Sequence, residues 1–386
     1  MPPHAGYEDL QILKNYLFNL RMIIGASKKT ENWSSENLEK ICKSLKNRKA
    51  PDREGLVYEL FKPANCGNDL IMSLTKMFNI IKATQIIPSF FQSMSITSIW
   101  KQKGAKNLLR NERGLFNLSK VRILMDKLLY NDVYQAVDDS LSCSNVGGRR
   151  GRGIRDQLFI IYGIINEVIN GKSPLIDFQS IDVVQCFDKL NFAETHNDLW
   201  DAQIKDDKFS LIANLDRKCR TVIKTPVGES KPFTLTDIIM QGSVFGSLKC
   251  TVQVDTLGRD CLSSEDSIGL FLYKDIVHVP PPSFVDDVLG ISECGVQTKE
   301  LNSVINSKIE SKKLSLGPDK CGKLHISKGG KGNCPNELKV HNESMKNKTQ
   351  LKYLGEILNI QGNINDTILE RSTRAIGLRT QIKSLN

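Results

Sequence analysis

Two β-forming segments far apart in the chain each carry carboxylates where a strand ends, and this constrains the fold more than any other feature. Leu175 to Val184 is apolar enough for a strand and holds Asp182 near its end. Phe284-Val285-Asp286-Asp287 follows Pro280-Pro281-Pro282 and precedes the apolar run Val288 to Ile291, which predicts a short strand pair with the acids at its turn. If the two segments pair, their side chains converge at the edge of a sheet and make a compact anionic site that demands a cation. Taken alone, the second segment reads as a solvated acidic turn.

Composition sets the frame around that pair. The 386 residues allow two or three domains of about 150 residues each. With 40% hydrophobic and 25% charged residues, the chain can bury a sizeable core, and disorder throughout is excluded. The net charge of +10 suits a polyanionic partner. That charge is patterned, since residues 101–155 hold twelve Lys or Arg against five Asp or Glu. The cysteines form no C-x-x-C pair, which argues against a zinc ribbon or redox dithiol and for a reduced, intracellular setting; the localisation expected for the chain is nuclear and cytoplasmic. Cys321, His325, Cys334 and His341 cluster loosely, in a spacing that matches no zinc-finger pattern. No apolar run reaches the roughly 18 residues of a membrane span, and Met1-Pro2-Pro3-His4 lacks a signal-peptide layout, so neither membrane nor secretion is expected.

Periodicity predicts a mixed α and β chain. Leu10, Leu13, Leu17 and Leu20 mark a helix, and a second opens at a Ser cap in Asn32-Trp33-Ser34 and runs to Leu45. After Gly55 a helix is expected through Val57, Leu60 and Phe61. Ser93 to Trp100 alternates as a strand and leads into the basic tip Lys101-Gln102-Lys103-Gly104 of a hairpin. Leu158, Ile161, Tyr162, Ile165 and Ile169 line a helix that stops at Asn170-Gly171. Phe192 to Trp200 forms another, residues 327–350 read as a polar surface loop, and a last helix starts near Asp366.

The acids have companions in a telling order: Asn111-Glu112-Arg113-Gly114, Gly147-Gly148-Arg149-Arg150-Gly151-Arg152, Gln241-Gly242-Ser243 and Lys352-Tyr353-Leu354-Gly355. With Asp182-Val183-Val184-Gln185-Cys186-Phe187-Asp188 and Phe284 to Asp287, they make the chain resemble a reverse transcriptase of the non-LTR retrotransposon type, related to group II intron enzymes, from about Lys46 to Leu358. The resemblance implies an α+β right-hand polymerase, with fingers, a palm of antiparallel sheet packed on helices, and an incomplete thumb. Its parts would be an N-terminal helical segment with the start of the fingers (1–100), basic fingers (101–173), palm with interleaved fingers elements (174–350), and primer-grip-like turn with the start of the thumb (351–386).

What the resemblance implies residue by residue is equally definite. Asp182 and Asp286, with the Val183 carbonyl, would hold Mg²⁺, for which Mn²⁺ can substitute, and Asp287 would support them. Such a cation pair can stabilise both oxygens of an in-line phosphoryl displacement, and Mg²⁺ needs only one or two protein carboxylates beside substrate phosphates. Phe187 would lie under the incoming sugar and exclude a 2′-hydroxyl. Gln241 and Gly242 would contact the nucleotide, although Phe245 to Leu248 follow where the family has Ser-Pro. Lys103 and Arg113 would grip the triphosphate, Lys103 being alternatively a solvated loop lysine. Arg149, Arg150 and Arg152 would track the template, or serve as a nuclear-targeting patch. Lys320 would protonate departing pyrophosphate, or be a surface lysine. Tyr353 and Gly355 would grip the primer end. The implied partners are an RNA template, a DNA or RNA primer and dNTPs. Two other functions stay open: a catalytically inactive, polymerase-derived module that binds nucleic acid, and an RNA-copying RNA polymerase.

Overall fold

The computed structural model describes residues 5–383 except 103, 106–107, 109–110, 173–174, 185–190, 226, 236–239, 241, 264–267, 273–276, 313, 329–335 and 341–342. The chain is α+β and divides into two compact units, Met1–Leu141 with Phe187–Gln253, and Ser142–Cys186 with Val254–Asn386. Each unit is thus assembled from two stretches separated in sequence. Among the described residues no helix is long and apolar enough to cross a membrane.

The first unit is helical around a small mixed sheet. The leucine-marked helix runs Ala5–Ser27, and the next, Ser35–Lys43, starts where Ser34 Oγ accepts from Asn37 N at 3.3 Å. After Gly55 the structure departs from expectation. Val57, Leu60 and Phe61 fall in or beside a single 3₁₀ turn, Tyr58–Phe61, and helix begins instead at Pro63 and runs to Thr84, broken by a kink at Gly67, whose φ is +67°. Proline's fixed φ and missing donor suit the first helical turn, so the start is set by Pro63 rather than by the apolar spacing. Ser93–Trp100 is the expected strand and pairs antiparallel with Glu112–Leu118 and parallel with Arg220–Thr225.

A buried charge cluster ties four helices of this unit together. Arg122 Nη2 lies 2.9 Å from Asp216 Oδ1 and its Nε 3.3 Å from Asp126 Oδ2, Lys249 Nζ also bonds Asp216, and His196 Nε2 stands 3.4 Å from it. Two cations hold the Asp216 carboxyl far below the usual range against its burial, while burial pushes Asp126 up to about 6. Burial also lowers the His196 pKa, which keeps the ring neutral.

The second unit is organised by one strand, Ile176–Val184. It pairs antiparallel with Asp287–Glu293 along one edge and with Gly322–Ile326 and Ser315–Leu316 along the other. Ile176, Phe178, Leu289, Ile291, Leu324 and Ile326 pack against Ile161, Ile164, Ile165 and Val168 of the helix Ile154–Ile169. The helix Val296–Ser311 takes part in burying the opposite face: at Gly290 an added Cβ would meet Leu301, Ile305 and Gln179, each at 3.3 Å, so the missing side chain lets that helix approach. Gln350–Tyr353 and Glu356–Asn359 form a hairpin, and Asn365–Lys383 is the last helix.

Candidate active site

Strand register builds an acidic rim in the second unit. Side chains alternate along a strand, so the face holding Ile176 and Phe178 continues through Ser180 to Asp182. Antiparallel pairing sets Ile291 opposite Phe178, Leu289 opposite Ser180, and Asp287 directly opposite Asp182. One face therefore runs from packed core to two opposed carboxylates, whose Cα atoms in such a ladder stand about 4.5–5.5 Å apart. Asp286 occupies the turn next door. Val183 is buried on the opposite face and pairs with Leu316.

A two-residue turn fixes that register. Phe284 pairs with Asp287 across Val285 and Asp286, and Val285 takes φ +58°, a left-handed conformation that a β-branched residue rarely adopts. Strain of this kind costs about 1–3 kcal/mol and persists only where neighbours over-determine it. Here Ser283 N donates to Ser144 O at 3.1 Å, while Ser283 O accepts from Val146 N at 3.2 Å and from Gln157 Nε2 at 2.7 Å. Gly147 presses so closely on the turn that a Cβ there would stand 2.3 Å from Val285 N. Tyr353 braces the same structure, its hydroxyl donating towards Gln157 Oε1 at 3.0 Å and Pro282 O at 3.1 Å.

Lys320 reaches the rim from a second turn. Gly317 N donates to Asp182 O at 3.0 Å, and Lys320 N and Cys321 N both return to Gly317 O at 2.9 Å. That compact turn delivers Lys320 Nζ to Asp182 Oδ2 at 2.8 Å. Cys321 Sγ accepts from Asp182 N at 3.4 Å. Desolvation, then the negative charges of Asp286 and Asp182, push the Asp287 carboxyl from 3.8 up to about 6, with Lys320 pulling the other way. Burial, with Asp287 adding to it, raises the Tyr353 hydroxyl, so it stays protonated and donating. Asp182, Asp286 and Asp287 bring hard oxygen donors together beside the Lys320 ammonium, a set that fits Mg²⁺ or Mn²⁺.

The other predicted residues are distributed as follows. Arg149 is buried, its Nη1 donating to Ser142 O at 2.8 Å and Asn145 O at 3.0 Å, whereas Arg150 and Arg152 are exposed. Tyr353 is buried and turned inward, and Gly355 (φ +82°) follows Leu354 (φ +50°) in the tip of its hairpin, as a type I′ turn requires. Arg113 is exposed on the Glu112–Leu118 strand opposite Ile99, in the first unit. Gly242 belongs to that unit too. Its φ is +102°, and a Cβ would sit 3.0 Å from Phe116 O. Lys103, Phe187 and Gln241 lie outside the described residues, as do Cys334 and His341.

Sequence reasoning missed three things here: that Asp287 is the acid facing Asp182, that Gln157 clamps the turn, and that Tyr353 supports it from below. Gln157 did leave a signal, because it stands four residues before Ile161 on the helix's buried stripe, where a polar side chain needs partners. No family model matches this chain, and no curated protein matches it.

Proposed function

We propose that the chain is an RNA-directed DNA polymerase of the non-LTR retrotransposon type, whose second unit carries a palm and whose first supplies fingers. The observation that carries this reading is the strand register that opposes Asp287 to Asp182 beside a strained two-residue turn holding Asp286. Strain kept at an acidic turn by a dedicated set of hydrogen bonds is characteristic of a functional site.

In this reading Asp182, Asp286 and the Val183 carbonyl hold Mg²⁺, with Asp287 alongside. The bound cation supplies charge stabilisation to the attacking and departing oxygens of an in-line displacement. The chain's own contribution is placement. Gly147, Gln157 and Tyr353 hold the turn, and Lys320 places its own ammonium at Asp182 Oδ2, within reach of any anionic group that binds there. Arg150 and Arg152 meet phosphates of the template strand, and Arg113 meets the triphosphate. The substrates are an RNA template, a DNA or RNA 3′ end and dNTPs, in an intracellular setting.

Primer extension on an RNA template with dNTPs and Mg²⁺ tests this. Asp182→Ala and Asp286→Ala are expected to lower extension by about a hundred- to a thousandfold, the loss typical of removing one group that stabilises transition-state charge. Extension absent from the unmodified chain with either Mg²⁺ or Mn²⁺, while RNA binding persists, would replace the enzyme with a binding module. Equal incorporation of rNTPs and dNTPs would point to an RNA polymerase instead.

A further inference from the structure

Away from the acidic rim, on the other face of the same sheet, three side chains of different chemistry meet. Asp177, Cys294 and His325 each offer a ligand atom, and these atoms all lie within 4.8 Å of one another. They come from three segments. Asp177 is on the central strand, His325 is its register partner on Gly322–Ile326, and Cys294 follows the Asp287–Glu293 strand, whose Ser292 is the register partner of Asp177 on the other side. Asp177 and His325 are buried, while Cys294 is half-exposed and leaves a way in. Thr298 Oγ1 donates to Asp177 Oδ2 at 2.9 Å and Asn336 Nδ2 approaches the same oxygen at 3.5 Å, so the carboxylate is oriented by outer partners. Such outer contacts are usual around metal ligands.

We propose that Asp177, Cys294 and His325 form a site for a borderline transition-metal ion, Zn²⁺ in kind, that staples three segments of the sheet together. Thiolate and imidazole select such an ion over Mg²⁺, which takes oxygen donors. Bond lengths of about 2.0–2.3 Å to oxygen, nitrogen and sulfur place tetrahedral ligand atoms roughly 3.2–3.8 Å apart, a small adjustment from the present cluster. His325 Nδ1 and Asp177 Oδ1 now share a hydrogen at 2.8 Å. Binding puts the metal in its place, the ring proton moves to the other nitrogen, and the Cys294 thiol proton leaves to solvent. Three protein ligands leave one position for water. Five residues along the strand separate Asp177 from Asp182, about 16 Å at the rise of a strand. The staple is therefore distinct from the acidic rim but rigidifies the strands that carry it.

The test uses the full chain stripped with chelator and titrated with Co²⁺. A cobalt–thiolate charge-transfer band is expected, lost in Cys294→Ser and retained in Cys66→Ser, a half-buried thiol of the first unit. In the unmodified chain, Zn²⁺ at a hundred times its Kd should slow iodoacetamide labelling of Cys294 about a hundredfold, read by peptide mass, so the outcome does not depend on the variant folding. Absence of the band, or an unchanged band in folded Cys294→Ser, or labelling indifferent to Zn²⁺, overturns the proposal. The readout involves a thiolate and not the rim carboxylates, so it succeeds or fails independently of polymerase activity.

Discussion

Asp287 carries an electrostatic penalty that can be read out residue by residue. Its folded pKa, about 6, lies above the ordinary 3.8 because desolvation and the charges of Asp286 and Asp182 disfavour ionisation. For a carboxyl raised in this way, the favourable contribution is full below the unfolded value and is lost as pH climbs from 3.8 to about 6. Asp287→Asn should therefore raise the melting temperature of metal-free protein at pH 7 and leave it unchanged near pH 3, and adding Mg²⁺ to the unmodified chain should recover part of that gain. Equal shifts at both pH values would show that the charge is not the cause. The cluster around Asp216 gives the opposite kind of prediction. Asp216→Asn strands Lys249 as a buried cation and leaves Arg122 with Asp126 alone, and breaking a buried pair from one side costs about 3–5 kcal/mol. A denaturant melt should show that loss. Replacing an exposed acid such as Asp319 should leave stability within about 0.5 kcal/mol.

Among elements, the hairpin at Val285-Asp286 depends on neighbours far from it in sequence. Gly147→Ala drives a methyl group against Val285 N, and backbone cannot yield as a side-chain end can, so a destabilisation of about 1–3 kcal/mol is expected. Because the turn positions Asp286, primer extension should fall further than stability accounts for, measured at a temperature where the variant is still folded. Tyr353→Phe removes the hydroxyl that meets Gln157 Oε1 and Pro282 O; Pro282 O keeps the Leu289 N donor at 2.9 Å, so a loss of about 1–3 kcal/mol is expected from the buried Gln157 Oε1. If Tyr353 instead acted only as a surface contact, this variant would melt like the unmodified chain and lose nucleic-acid affinity alone. Strands and helices themselves were largely legible. The alternation of Ser93–Trp100, the apolar run ending at Val184 and the Ser34 cap all correspond to elements at or near the expected bounds. Local periodicity and capping suffice for those, since they depend on neighbours within a turn or two. The helix expected after Gly55 failed because a proline a few residues on decides where a helix can begin.

For the molecule as a whole, the charge excess should govern association with nucleic acid. Affinity for single-stranded RNA should fall log-linearly with salt, and the double change Arg150→Ala with Arg152→Ala should reduce the slope by about 0.7 per lost phosphate contact. An unchanged slope in a filter-binding series would remove these two residues from the interface. By itself the sequence determined the class of several elements, the α+β composition and the presence of acids at two strand ends, because propensity, alternation and turn residues are local properties; it missed the strands Lys339–Val340 and Glu343–Ser344 inside the stretch read as a polar loop. It did not determine that Asp287, rather than Asp286, faces Asp182. A shift of one residue in register turns every side chain to the other face, and the register here is held by Gly147, Gln157 and Tyr353, which lie far from the turn in sequence. The same holds for the Arg122–Asp216–Lys249 cluster and for the meeting of Asp177, Cys294 and His325. Their partners share no local pattern, and only the pairing of distant segments brings them within bonding distance.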